Sequence, residues 1–216
     1  GKEFAKERTL QVHLCEPKRR YMQRDEKWVV NAFMVFQRFY KIHQHNSKDK
    51  TYDDFVKSPY YNAFVKFGSW LNNVKPLYME KYIDWVVTSG KKLDHWCRDE
   101  LYEVYVNELV LKESMETAVE RTIETMMDWG TEKEAPWNDY FRHATLNRVT
   151  RDIKDGKVSP WLMLNCTSGK QMLSQFNDEQ LEFVYTVIDP KHWAMKFKKK
   201  QADVEVVKEV AKESKL

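Results

Sequence analysis

Residues 25–44 read DEKWVVNAFMVFQRFYKIHQ. Val29, Phe33, Phe36 and Tyr40 recur at steps of four, three and four, the interval that places side chains on one face of an α-helix. A second, mostly basic line runs through Arg24, Lys27, Asn31, Arg38 and Lys41. An aromatic helix with a basic stripe is the unit from which the rest of the chain is read.

Upstream of this helix, Leu10, Val12 and Leu14 alternate with Gln11 and His13, a strand-like pattern with no second strand to pair with. The spacing predicts an extended arm over residues 1–24, which ends in the basic run Lys18, Arg19, Arg20 and Arg24.

Downstream, start and stop signals of helices follow one another. Thr51 stands three residues before Asp54, and Asn177 three before Gln180, so each pair has the spacing of a reciprocal N-terminal cap. Ser159-Pro160 and Asp189-Pro190 combine a cap with proline at the first helical position. Pro59 and Pro76 open two more helices, and Gly90 closes the second of these. Helices are expected from Asp94 to Lys112, from Ser114 to Gly130 and from Trp137 to Asp155, the last stopped by Gly156. The final twenty residues are helical in pattern and increasingly polar.

The expected fold class is therefore all-α: a single compact multi-helix domain of about eight or nine helices with an extended N-terminal arm. The helical domain is placed over residues 25–200, with residues 201–216 as a solvated helix or tail. The segment GTEKEAP (residues 130–136) is the weakest seam and reads as a surface loop in preference to a lobe boundary.

Bulk composition agrees with a folded chain. Phe, Tyr and Trp together supply 30 of 216 residues, whereas disordered chains are poor in aromatics. Cys15, Cys97 and Cys166 are odd in number and widely spaced, so they fit neither a disulfide framework nor a zinc knuckle. No run approaches the ~18 apolar residues of a membrane span, and no membrane partner is expected. The expected location is intracellular, cytoplasmic or nucleoid-associated.

Chemistry-bearing motifs are sparse. The chain has six glycines, too dispersed for phosphate-cradling loops or a nucleophile elbow. Gly169-Lys170 has the end of a P-loop pattern, but Leu164 stands where the first glycine belongs and Gln171 replaces the hydroxyl residue. His43 with His45, and His95 with Cys97, are two apart, which separates them on a helix. Asp152-Ile153-Lys154 resembles the last element of a nuclease signature but lies in a helical pattern, off the strand that chemistry needs. No catalytic residue, metal ligand or cofactor is assigned, and the protein is read as non-enzymatic in preference to catalytic.

Charge is distributed unevenly. Residues 1–50 hold 12 Lys and Arg against 6 Asp and Glu, while residues 93–134 hold 4 against 12. Cations suited to phosphate are Arg19, Arg20, Arg24, Lys27, Arg38 and Lys41, with Lys196, Lys198, Lys199 and Lys200 near the C-terminus. The C-terminal group surrounds Trp193 and Phe197, a mixture that can grip phosphate and stack on bases. Glu103, Glu113, Glu116, Glu120 and Glu124 form the candidate protein-docking face. The expected function is a nucleic-acid-associated accessory factor with a protein partner at the acidic face. Two alternatives stand beside it: an interaction module without nucleic acid, and a metal-dependent enzyme built on the helical carboxylates.

Overall fold

The structure, a computed structural model, describes residues 15–44 and 48–216. The strand-like pattern at Leu10, Val12 and Leu14 and the candidate ligand His45 lie outside the described residues. Among the described residues every regular element is a helix, and no helix is long and apolar enough to cross a membrane. The helices group into two compact units, divided between Leu101 and Tyr102. Residues 130–136 lie inside the second unit.

In the first unit α1 (Glu16–Met22), α2 (Lys27–His43), α3 (Tyr52–Lys57), α4 (Tyr61–Val74) and α5 (Met79–Thr88) follow in order. Part of the segment expected to be an extended arm is thus helical. Proline at the start of α1 costs no hydrogen bond there, and Arg20 anchors the helix. Its guanidinium donates to the Val56 carbonyl at 2.5 Å, pairs with Glu16 and lies 4.2 Å from the Tyr61 ring centroid.

The most extensive packing in this unit is α2 against α4. It is set by Gly68: an added Cβ would overlap the Trp28 carbonyl oxygen and stand 2.7 Å from the Ala32 nitrogen. The close approach rotates α2, so its buried residues are Val29, Ala32, Val35 and Phe36, while Phe33 and Tyr40 are half-buried. Phe64, Phe67, Tyr82 and Trp96 complete the centre, with the Phe67 and Trp96 rings 5.5 Å apart, edge to face. Each fully buried large side chain of this kind contributes roughly 1.5–3 kcal/mol. The cap expected at Thr51 is formed in both directions.

The second unit contains most of α6 (Asp99–Lys112), then α7 (Met115–Lys133), α8 (Tyr140–His143), α9 (Leu146–Lys154), α10 (Pro160–Met163), α11 (Thr167–Leu173), α12 (Asp178–Val184), α13 (Pro190–Lys199) and α14 (Gln201–Glu213). Fourteen α-helices among the described residues exceed the expected count because long helical stretches are broken. The stretch expected from Trp137 to Asp155 divides into a 3-10 turn, α8 and α9, since Thr145 is extended and caps α9 by accepting from the Arg148 N–H. The stretch from Asp94 likewise begins as a separate 3-10 turn, Leu93–His95.

The C-terminal helix is not a solvated tail. Val204, Val207 and Ala211 are buried on one face of α14, as is Leu216 beyond it, and α14 packs against α10, α7 and α13. Gly169, the residue of the rejected P-loop pattern, serves packing: an added Cβ would stand 2.8 Å from the Cys166 sulfur and 2.9 Å from the Met163 Cα. Cys166 itself caps α11, its Sγ accepting from the Gly169 N–H at 3.2 Å.

Candidate functional site

The basic residues picked out by spacing divide into two groups once side chains are placed. Arg20 is occupied by the anchoring contacts of α1. Arg38 donates from Nε and Nη2 to the two oxygens of Asp84, both at 2.5 Å. Hydrogen bonding to this guanidinium holds the Asp84 carboxyl below the usual carboxylate range. Lys196 is half-buried, donates from Nζ to the Leu111 carbonyl at 2.8 Å and lies over the Trp193 ring at 4.6 Å. Burial pushes its ammonium pKa down. These three cations serve the fold.

Arg19, Arg24, Lys27 and Lys41 are exposed, and of the four only Arg24 forms an ion pair among the described residues, with Asp25 at 3.4 Å. Lys27 and Lys41 stand fourteen residues apart on α2, so the stripe spans about 21 Å at the helical rise. Near the C-terminus Lys198, Lys199 and Lys200 are exposed, Lys200 lying 3.4 Å from Asp203.

Where α2 passes α5, the stripe borders a cleft of about 510 Å³ within the first unit. Met34, Tyr40 and Ile83 supply apolar lining, and the Arg38–Asp84 pair stands in its wall. Lys41, Lys48 and Lys50 contribute cations, the last with Nζ 4.8 Å from the Tyr40 ring centroid. Glu80 and Asp49 are the remaining carboxylates, and the amides of Gln37 and Gln44 add uncharged donors and acceptors. Gln37 Nε2 donates to the Lys50 carbonyl at 2.9 Å, which holds the amide in place and leaves its oxygen to accept.

The expected acidic face is shorter than its spacing implies. Glu113 lies in the turn before α7, and its side chain is only 4% exposed. It faces the 5%-exposed Arg121, whose Nη2 reaches Glu113 Oε1 at 2.6 Å while Nη1 pairs with the second oxygen. The Arg121 Nε donates to the Gly156 carbonyl at 2.7 Å. Glu113 is therefore a buried counter-ion and cannot dock a partner. Glu103 is half-buried and pairs with Lys154 at 3.1 Å.

Glu116, Glu120 and Glu124 are exposed on α7, and Asp128 extends the row by the same step of four. Hydrogen bonds from its own backbone N–H and from the Ser114 hydroxyl hold the Glu116 carboxyl below its ordinary pKa, with Lys200 adding a smaller effect.

The other chemistry-bearing residues are absorbed by structure. Asp152 is buried and accepts from the Tyr140 hydroxyl at 2.7 Å and from Arg148 Nε at 2.6 Å. Burial, with the Asp152 charge beside it, pushes the Tyr140 phenol well up. Asp189 caps α13, and the His43 ring packs 4.5 Å from Phe39. Among the described residues no group of three or more His, Cys, Asp or Glu is gathered closely enough to hold a metal ion.

The cleft was not visible in the sequence, because no spacing announces that Arg38 meets Asp84, or that Lys50 and Glu80 line one cleft. Asp128 could have been found from the same step of four that marks Glu116, Glu120 and Glu124. Comparison of the chain with protein-family models, curated proteins and solved structures finds no match.

Proposed function

We propose that the protein is a nucleic-acid-associated binding factor that holds phosphates along α2 and docks a protein partner on the exposed row of α7. The observation that carries this reading is the exposed stripe of Lys27 and Lys41, flanked by Arg19 and Arg24 and continued into the cleft by Lys48 and Lys50. Cations held in water on one face release condensed counterions when they meet phosphate, whereas Arg20, Arg38 and Lys196 are already compensated. Charge supports the same division of roles. Residues 1–101 carry 19 Lys and Arg against 13 Asp and Glu, and residues 102–216 carry 17 against 20.

Fluorescence anisotropy of labelled single- and double-stranded oligonucleotides at ~50 and ~200 mM salt tests it. Affinity that falls steeply between the two salts, and falls further in the Lys27→Glu/Lys41→Glu variant, is the expected result. Absence of binding at the lower salt would refute it.

A second reading, an interaction module that binds no nucleic acid, is favoured by one feature. Glu116, Glu120, Glu124 and Asp128 form an exposed row beside Met127, which is itself 51% exposed. Charge reversal at Glu120 and Glu124 would then abolish capture of a basic partner while leaving the α2 surface intact.

A further inference from the structure

We infer that the cleft between α2 and α5 is a nucleotide site, which takes a base against its apolar wall and the attached phosphate at its lysines. The inference deepens the nucleic-acid reading, and it rests on that reading only if the nucleotide belongs to a strand. A free mononucleotide offers the same chemistry.

Three properties of the cleft point to this ligand class. Its volume of about 510 Å³ lies within the range of small-molecule pockets, roughly 300–1,000 Å³. Its lining is divided by chemistry: the half-buried Tyr40 ring and the exposed Met34 side chain offer apolar surface, with the buried Ile83 behind them, and a ring is the kind of platform on which a base sits whatever its sequence. Lys41 and Lys48 offer exposed ammonium groups to a phosphate, and Lys50 adds a third cation held beside the Tyr40 ring.

The polar lining fits a base edge better than a bare anion. Glutamine can hold an adenine edge with paired donor and acceptor, and a carboxylate accepts from an exocyclic amino group. Gln44 supplies the amide and Glu80 the carboxylate, while Gln37, its amide nitrogen engaged by the Lys50 carbonyl, adds an accepting oxygen. The Arg38–Asp84 pair is closed upon itself through two hydrogen bonds. The two charges therefore cancel, leaving three lysines against Glu80 and Asp49, a small positive excess. Such a site binds a phosphate alone weakly and gains its affinity from the base.

The test uses the full chain at ~50 mM salt. Adenosine monophosphate and inorganic phosphate are each titrated while backbone amide resonances of residues 34–41 and 80–84 are followed by NMR. In parallel, an oligoadenylate and the same strand with abasic positions are compared by anisotropy. Met34 is exposed, so Met34→Trp fills the cleft from its surface, and circular dichroism establishes that the variant keeps its helices.

The expected result is adenosine monophosphate binding about tenfold tighter than phosphate, with most of that difference lost in Met34→Trp, whose indole occupies the space the base would take. If the mononucleotide fails but intact strand exceeds abasic strand and Met34→Trp removes the difference, the site is upheld with a strand as its source. If neither the mononucleotide nor the intact strand shows base-dependent, Met34-sensitive binding, the nucleotide site is overturned, even where salt-sensitive oligonucleotide binding leaves the phosphate stripe standing. If the mononucleotide binds and no oligonucleotide does, the site stands and the nucleic-acid reading falls.

Discussion

Arg38 and Arg121 each grip one carboxylate through two guanidinium nitrogens, and the resemblance ends there. The Arg38–Asp84 pair has both side chains at least 40% exposed, whereas Arg121 and Glu113 are nearly sealed from water. An exposed pair gains little, because water screens it and two side chains lose freedom to form it. A buried pair has surrendered hydration that only its partner and further hydrogen bonds replace. Similar geometry therefore marks a pair that tolerates loss of one partner in the first unit and a pair that does not in the second.

The sharpest way to break that contrast is to remove one buried partner. Glu113→Gln should destabilise the protein by about 3–5 kcal/mol, as the guanidinium is left buried and uncompensated. The urea unfolding midpoint reports this. Glu113→Leu combined with Arg121→Met should recover most of the loss. A residual deficit of about 1 kcal/mol is expected because the Gly156 carbonyl loses its donor. Additive single losses would show that the pair is not a coupled unit.

A second change asks where the first unit keeps its stability. Gly68→Ala forces α2 and α4 apart and should cost about 1–3 kcal/mol, the usual penalty for overpacking, seen as a lower Tm. A neutral outcome would mean that this helix crossing adjusts freely.

Lys41→Glu should leave stability within about 0.5 kcal/mol of the parent, as expected for an exposed site. It should weaken oligonucleotide binding and make the dependence of log affinity on log salt shallower, by about 0.9 for each phosphate no longer neutralised. An unchanged slope would place phosphate elsewhere on the protein.

The smallest effect belongs to the exposed pair. Asp84→Asn should cost less than about 1 kcal/mol at pH 7. Since Arg38 lowers the Asp84 pKa in the folded protein, the contribution is present above the unfolded value near 3.9 and disappears as pH falls through the folded value. Parent and variant should thus converge in stability as the pH drops below about 4. Persistence of the difference there would mean that Asp84 acts through packing.

Much of the helical plan was legible because caps are local. Thr51 with Asp54, Asn177 with Gln180, and Ser159 before Pro160 each act within four residues, and all are formed. The rotation of α2 was not legible, since it depends on a glycine 36 positions from Ala32 in the chain. Nor was the fate of Glu113. The break at Ser114 was expected from its capping position, but nothing in the spacing announced that the turn before α7 buries Glu113 against Arg121. The exposed cations and carboxylates could be picked out by type, while their pairing was decided by neighbours distant in sequence.

Cys166 carries a practical consequence of its place in the cap of α11. Its thiol is buried, its sulfur receives the Gly169 amide, and burial raises its pKa, so it should meet an alkylating reagent only when its surroundings open. Cys15 is exposed and Cys97 half-buried in the first unit. Labelling followed by mass spectrometry would therefore time local opening in the second unit against a built-in fast standard, with no residue introduced for the purpose.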